Sequence, residues 1–102
     1  MYSLLIVDDE PFVCQQIQSA INWGIMNIKV VGEAHNGLSA LELADKLRPD
    51  IVIADVRMPL MDGISFATEF IRRYPSAQVI FLSGYSDKDY MQNAIRLDAV
   101  DY

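Results

Sequence analysis

Residues 51–63, IVIADVRMPLMDG, decide the fold class of this chain of 102 residues. The stretch begins with four apolar residues and no polar alternation, which is the pattern of a short strand covered on both faces. Similar runs occur at residues 4–7 and 79–82, with a weaker one at residues 29–34. Because enrichment in Val and Ile favours a strand over a buried helix at this length, the sequence predicts a parallel sheet.

Segments with a 3.6-residue apolar period separate these runs and predict four amphipathic helices. Pro11 opens the first helix, Asn36 and Gly37 lead into the second, and Pro49 and Pro75 follow the ends of the second and third. The positions expected to face the sheet are Phe12, Val13, Ile17, Ala20 and Ile21, then Leu38, Leu41, Ala44 and Leu47, then Ala67, Phe70, Ile71 and Tyr74, then Tyr90, Met91, Ala94 and Leu97.

Strand and helix alternate throughout, which predicts one α/β domain over residues 1–102 with a doubly wound parallel sheet. Right-handed crossovers then place helices on both faces of that sheet. Residues 99–102 have the character of a fifth strand that has just begun. We therefore expect the chain to be truncated inside that strand.

Composition and charge exclude several classes of protein. Fourteen acidic and eight basic side chains give a net charge of −6, which disfavours direct contact with DNA or RNA because such contact relies on clustered Lys and Arg. A single cysteine, Cys14, forms no internal disulfide and lies in a helical pattern, so we expect a small buried side chain in a reducing compartment. No run of apolar residues resembles a signal peptide or a membrane span, and we expect a cytoplasmic protein.

Polar side chains follow the ends of three predicted strands. Asp8 and Asp9 come directly after the first, Asp55 ends the run at residues 51–54, and Ser83 with Gly84 follows the run at residues 79–82. Ligands of open α/β sheets bind beyond the carboxyl ends of the strands. The sequence therefore predicts that three carboxylates and a hydroxyl converge on one edge of the sheet.

Each of these aspartates has an ordinary structural explanation, since Asp8 and Asp9 could favour a helix N-terminus and Asp55 could begin a turn. All three together are harder to explain in this way. Like charges about 4 Å apart repel by roughly 4 kcal/mol at an effective dielectric near 20. Mg²⁺ would offset this repulsion, because it prefers oxygen ligands and keeps several waters, so we predict a divalent-cation site.

The same arrangement suggests phosphoryl chemistry, in which a carboxylate is the nucleophile and a metal neutralises the transferring oxygens. No Ser-His-Asp or Cys-His set competes, because the single histidine, His35, is expected to be a solvated loop residue that nothing positions. Neither a G-x-x-x-x-G-K-[ST] nor a G-x-G-x-x-G loop is present, which disfavours nucleotide binding of those types.

The chain resembles the receiver domain of bacterial two-component response regulators. The resemblance rests on the Asp8-Asp9 pair, on residues 55–63, which fit the pattern D-x-x-M-P-x-x-D-G at every fixed position, and on Ser83 with a small neighbour. It covers essentially the whole chain. It implies a flavodoxin-like receiver fold with strand order 2-1-3-4-5.

The resemblance also implies a role for each acidic residue. Asp55 would be the phosphoacceptor, with a histidine kinase as the phosphodonor. Asp9, Asp55 and the backbone carbonyl of Arg57 would ligate Mg²⁺, and Asp8 would position the metal through water. The domain would catalyse only its own phosphoryl transfer and slow dephosphorylation, and is otherwise not an enzyme.

Further residues are assigned by the same resemblance. Ser83 would donate a hydrogen bond to the phosphoryl oxygens, Gly84 would leave room for the phosphodonor, and Tyr102 would be the switch aromatic. The loop after the acceptor would be shaped by Met58 and Pro59, with Pro fixing φ, and by Gly63, which would permit a positive φ. The lysine that this family places just beyond the switch aromatic has no counterpart before the chain stops at Tyr102.

Two features suggest a subfamily. The connection at residues 22–26 (NWGIM) and the stretch at residues 82–86 (LSGYS) resemble receivers linked to AraC-type helix-turn-helix output domains, which bind DNA and regulate transcription. A homodimer is a further expectation. Two rivals stay open: an aspartyl phosphatase of the haloacid-dehalogenase type, although D-x-D is replaced by Asp8-Asp9-Glu10, and a receiver-like module that is never phosphorylated.

Overall fold

The computed structural model describes residues 1–82, which form four strands and three α-helices. Predictions for the fourth helix, the fifth strand, Ser83, Gly84 and Tyr102 lie outside the described residues. In chain order the elements are β1 (Tyr2–Val7), α1 (Pro11–Ala20), a short 3-10 helix (Trp23–Met26), β2 (Ile28–Ala34), α2 (Gly37–Leu47), β3 (Ile51–Asp55), α3 (Gly63–Arg73) and β4 (Gln78–Leu82).

The four strands form one parallel sheet in the order β2-β1-β3-β4. Strand β1 lies in the centre and pairs with both β2 and β3, with one register shift between Leu4 and Leu5 on the β2 side. The predicted doubly wound sheet is therefore confirmed over its first four strands. Because all four strands are parallel, their carboxyl ends share one edge of the sheet.

Two apolar clusters cover the two faces of the sheet, as the absence of polar alternation in the strands predicts. Alternate residues of β1 point to opposite faces, so Leu5 and Val7 belong to the larger cluster while Leu4 and Ile6 belong to the smaller one. The larger cluster includes buried residues of α2 and α3, and the smaller one includes Cys14 of α1. Cys14 is fully buried, as its helical pattern predicts.

Side-chain caps define the starts of α2 and α3. The Asn36 side chain accepts a hydrogen bond from Ser39 N at 2.8 Å, and Asp62 does the same for Ser65 N at 2.7 Å. Such caps satisfy backbone donors that have no partner within the helix. The predicted starts at Pro11 and at Asn36-Gly37 are confirmed.

Five predicted core positions are wrong, because the structure leaves them exposed: Phe12, Ala20, Ile21, Leu38 and Leu47. Phe12 is 67% exposed and Leu38 is 46% exposed, although both were expected to face the sheet. Each lies two residues before a fully buried residue of its helix, Cys14 or Ala40, and two residues correspond to about 200° around an α-helix. Both side chains therefore point away from the sheet. Within residues 1–82 no helix is long and apolar enough to cross a bilayer.

Candidate metal centre

Three carboxylates meet at the carboxyl edge of the sheet. Asp8 and Asp9 directly follow β1, Asp55 is the last residue of β3, and these two strands are neighbours. One carboxylate oxygen from each residue lies within 4.8 Å of the other two. We call this cluster of Asp8, Asp9 and Asp55 the acidic rim. Its convergence follows from the parallel sheet order, as the sequence predicts.

Asp8 is the most buried member of the acidic rim and is held at two points. Its side chain is almost enclosed, with the residue only 6% exposed, and Oδ1 accepts a hydrogen bond from Glu10 N at 2.9 Å. Its backbone N donates to Ala34 O at 3.0 Å, which extends the pairing of β1 with β2 by one residue. Asp9 is exposed and Asp55 is half-buried, so the rim opens toward solvent from a fixed, enclosed base.

Burial and neighbouring charge raise the pKa of Asp8 from 3.8 to about 6. Loss of hydration is the largest cause, and the negative charge of Asp55 and the proximity of Asp9 act in the same direction. The hydrogen bond from Glu10 N opposes them by favouring the charged form. The rim therefore resists full ionisation unless a positive charge is added to it.

The loop after Asp55 folds back onto the end of β3. Gly63 N donates to Val56 O at 2.8 Å, and a Cβ built on Gly63 would overlap the carbonyl oxygen of Asp55. The prediction that Gly63 provides a positive φ is wrong, because no glycine within residues 1–82 has one. Glycine is required at position 63 by the close approach of two backbone segments. The residue of this loop that has a positive φ is Leu60, at 70°.

A second close contact fixes the middle of this loop. Met61 N donates to Pro59 O at 2.8 Å, and Met61 O accepts a hydrogen bond from Gly37 N, the first residue of α2, at 3.1 Å. A Cβ on Gly37 would overlap Met61 O. Met58 packs against the larger apolar cluster. The loop that carries Arg57 is thus attached to α2, to β3 and to the core.

This role of Gly37 is not apparent from the sequence. Asn36-Gly37 has the pattern of an ordinary turn into a helix, and nothing in the sequence shows that the loop after β3 packs against it. The prediction that His35 is exposed to solvent is confirmed, but the prediction that no residue positions it is wrong. Its side chain is 44% exposed, yet Nε2 lies 2.9 Å from Glu33 Oε2.

The donor set fits Mg²⁺. All three side chains of the acidic rim offer carboxylate oxygens, and Mg²⁺ is commonly bound by one or two carboxylates while it keeps several waters. The half-open rim leaves space for such waters on the side of Asp9. No thiol or imidazole belongs to the rim, so softer metals gain no advantage there.

The raised pKa of Asp8 predicts how the stability of the metal-free protein depends on pH. Because the folded-state pKa lies above the unfolded value, the free energy of unfolding falls as pH rises from about 4 to above 6. Two pKa units correspond to about 3 kcal/mol, and we expect a loss of about 1–3 kcal/mol. Urea denaturation in EDTA measures this loss as the difference between the wild type and Asp8→Asn, which cancels the titration of other groups.

Asp8→Asn keeps the size of the side chain and removes the charge. The variant should match the wild type near pH 4 and exceed it in stability near pH 7. A stability difference that is the same at both pH values would contradict the assignment of the raised pKa to Asp8.

Comparison with known proteins identifies the family. The sequence model of the response regulator receiver domain family matches residues 4–102, almost the entire chain. The chain belongs to the response regulator receiver family. Among curated relatives, the transcriptional regulatory protein YesN of Bacillus subtilis (strain 168) is 34% identical over 102 residues. That match covers 100% of this chain and 28% of YesN, so the chain spans less than a third of that relative.

Two solved receiver structures resemble this one closely. The REC domain of AraT, a response regulator from Geobacillus stearothermophilus, matches with a TM-score of 0.95 at 39% identity. The match covers 99% of this chain and 78% of the AraT chain. A two-component transcriptional regulator AraC from Clostridium phytofermentans ISDg matches with a TM-score of 0.92 at 39% identity, and the match covers 100% of this chain and 79% of that one. The receiver fold and the likeness to receivers of AraC-type regulators are thus confirmed.

Proposed function

We propose that this receiver accepts a phosphoryl group on Asp55 from a histidine kinase in a Mg²⁺-dependent reaction. The observation that carries the proposal is the acidic rim, in which three carboxylate oxygens from two neighbouring strand ends lie within 4.8 Å of one another. Three adjacent carboxylates repel one another, and a bound cation would offset this repulsion and that of an incoming phosphoryl group.

The proposed roles of the rim residues are those that membership of the family implies, and the burial of the three aspartates supports them. Asp9 and Asp55, the two accessible carboxylates, and the backbone carbonyl of Arg57 would ligate Mg²⁺. Asp8 is held below them by Glu10 N and would act through a water molecule. When bound, the metal supplies positive charge that screens the carboxylates and the oxygens of the incoming phosphoryl group.

Phosphoryl transfer uses Asp55 as the nucleophile. One carboxylate oxygen of Asp55 forms a bond to phosphorus while the bond between phosphorus and the donor's imidazole nitrogen breaks, and that imidazole leaves with the bonding electron pair. The product is an acyl phosphate on Asp55. The two backbone contacts at Gly63 and Gly37 hold the surrounding loop in place, so little ordering is required at the moment of transfer.

The remaining site residues are assigned by membership of the family. Ser83 would donate to the phosphoryl oxygens, Gly84 would admit the phosphodonor, and Tyr102 would change position when the phosphoryl group appears. A dianionic group beside a hydroxyl creates new hydrogen bonds and biases a two-state element. Phosphorylation would thereby alter the surface that the receiver presents to its partners.

We further propose that residues 1–102 act as the receiver of a longer cytoplasmic regulator. The likeness to YesN and to a two-component transcriptional regulator AraC supports a covalently linked output domain of the AraC helix-turn-helix type. That output domain, and not the acidic receiver, would contact DNA. A homodimer formed on phosphorylation would bring two output domains together, as two-fold DNA sites require.

Intact-mass spectrometry with a small phosphodonor tests the proposal. Incubation with acetyl phosphate and Mg²⁺ should add one phosphoryl group per chain, and EDTA should prevent it. The added group should be lost in hydroxylamine, which cleaves acyl phosphates. Continuous release of phosphate from small phosphate monoesters, with many turnovers per chain, would contradict the proposal and favour the phosphatase alternative.

A further inference from the structure

A second group of potential metal ligands lies outside the acidic rim. It consists of Cys14 in α1, Glu33 in β2 and His35 just after β2, and we call it the Cys14 cluster. One ligand atom from each residue, a sulfur, a carboxylate oxygen and an imidazole nitrogen, lies within 4.8 Å of the other two. The proposed phosphoryl transfer uses none of these three side chains.

The fold explains why the three residues meet. Glu33 pairs with Ile6 across the parallel strands, so both side chains point to the same face of the sheet. That face is covered by α1, because Ile6 belongs to the same apolar cluster as Cys14. His35 comes just after β2, and its Nε2 lies 2.9 Å from Glu33 Oε2, which places the imidazole beside Glu33 at the carboxyl end of the strand.

Existing contacts link the three side chains of the cluster to one another and to neighbouring polar groups. The Glu33 carboxylate is paired with His35 Nε2 at 2.9 Å and also interacts with the Cys14 thiol and the Gln18 side chain. The Cys14 Sγ lies 3.8 Å from the Asp8 carbonyl oxygen. Two oxygens beside the thiol, those of the Asp8 carbonyl and the Glu33 carboxylate, are an acceptor and an anion, and they favour a proton or a positive ion at this place.

The pKa of Cys14 agrees with this picture. Burial raises it to about 12, and the negative charges of Glu33 and Asp8 add to the effect. A thiolate forms here only when a cation replaces the proton, as in metal sites where binding releases protons to solvent. The side chains of Glu33 and His35 are 30% and 44% exposed whereas Cys14 is fully buried, so a cation would reach the sulfur past these two side chains.

We propose that Cys14, Glu33 and His35 ligate a borderline-soft divalent cation of the Zn²⁺ class, at a site separate from the acidic rim. Sulfur, nitrogen and oxygen donors together suit Zn²⁺, and three protein ligands leave a fourth position for water. Ligands on one tetrahedral Zn²⁺ lie about 3.5 Å apart, given bonds of about 2.0–2.3 Å. The present ligand atoms lie within 4.8 Å of one another, and the accessible side chains of Glu33 and His35 would rotate to reach the shorter separation.

Metal titration of the 102-residue chain tests this proposal. Chelator-treated protein is titrated with Zn²⁺ by calorimetry and with Co²⁺ by absorption spectroscopy. We expect one Co²⁺ at the Cys14 cluster, recognised by a near-ultraviolet sulfur-to-metal charge-transfer band that Co²⁺ on the carboxylates of the acidic rim does not give, and Zn²⁺ should displace it. His35→Asn should weaken Zn²⁺ binding by at least about 10-fold, since removal of even an outer-shell partner commonly costs 10–100-fold.

Three variants make the outcome decisive. Cys14→Ser should abolish the charge-transfer band. His35→Asn should fold like the wild type because the His35 side chain lies at the surface, so a loss of metal affinity in this variant is not caused by misfolding. Asp55→Asn removes one ligand of the acidic rim and should leave the Co²⁺ spectrum and the Zn²⁺ affinity unchanged. A spectrum without the sulfur band, or an affinity that falls in Asp55→Asn and not in His35→Asn, would overturn the proposal and show that only the rim binds these metals.

Discussion

Replacement of Asp55 by Asn is expected to abolish phosphorylation of the chain by acetyl phosphate and Mg²⁺. An amide nitrogen or oxygen is a far weaker nucleophile than a carboxylate and carries no negative charge, whereas the shape of the side chain is nearly the same. The mass gain of one phosphoryl group should therefore fall to the background of the assay. Intact-mass spectrometry of wild type and variant under identical conditions measures the effect.

Asp62→Asn is the matched control for this experiment. Asp62 lies in the same loop and caps α3 by accepting a hydrogen bond from Ser65 N, and an Asn side chain caps a helix about equally well. The control variant should therefore fold and gain one phosphoryl group as the wild type does. An equal mass gain in Asp55→Asn and in the wild type would show that another residue is the acceptor.

Replacement of Gly63 by Ala is expected to lower the free energy of unfolding by about 3 kcal/mol or more, at the upper end of the range for overpacked sites. The added Cβ would overlap the carbonyl oxygen of Asp55 and lie 3.0 Å from its carbonyl carbon and 3.1 Å from Val56 Cα. All three atoms belong to the backbone and cannot rotate away. Urea denaturation followed by circular dichroism measures the loss.

The matched control is Gly24→Ala. Among residues 1–82, a Cβ at Gly24 meets only the Asn22 side chain, at an ordinary contact distance of 3.6 Å. The stability of this variant should differ from that of the wild type by less than about 1 kcal/mol, because Gly24 also lacks a positive φ. Equal stabilities for Gly63→Ala and Gly24→Ala would show that the loop after β3 does not approach the strand as described.

Sequence reasoning predicts the fold because short apolar runs and helical periods alternate without interruption. It also predicts the acidic rim, since the positions of Asp8, Asp9 and Asp55 at strand ends translate directly into a shared sheet edge. The explanation predicted for glycine at position 63 was wrong because both a positive φ and a close approach of the backbone favour glycine. A sequence alone does not distinguish these two causes. Only the structure shows the carbonyl oxygen of Asp55 in the place of a Cβ.

Other features depend on packing that no local pattern reveals. Phe12 fits a helical apolar period but lies about 200° from the buried Cys14 on α1, so its exposure depends on how the helix is rotated against the sheet. The Cys14 cluster combines residues from α1 and from the end of β2. Cys14 is too far in sequence from Glu33 and His35 for the three residues to form a recognisable metal-binding motif.

The central claim is that the acidic rim is a cation site whose repulsion a bound Mg²⁺ relieves. The most direct measurement is the free energy of unfolding at neutral pH as a function of Mg²⁺ concentration, in wild type and in Asp9→Asn, with NaCl of equal ionic strength as the control. A site specific to the folded state predicts a gain of about 2.7 kcal/mol at 100 times the dissociation constant, largely lost in the variant. Unfolding curves that do not respond to Mg²⁺, or that respond equally in both proteins, would contradict the claim.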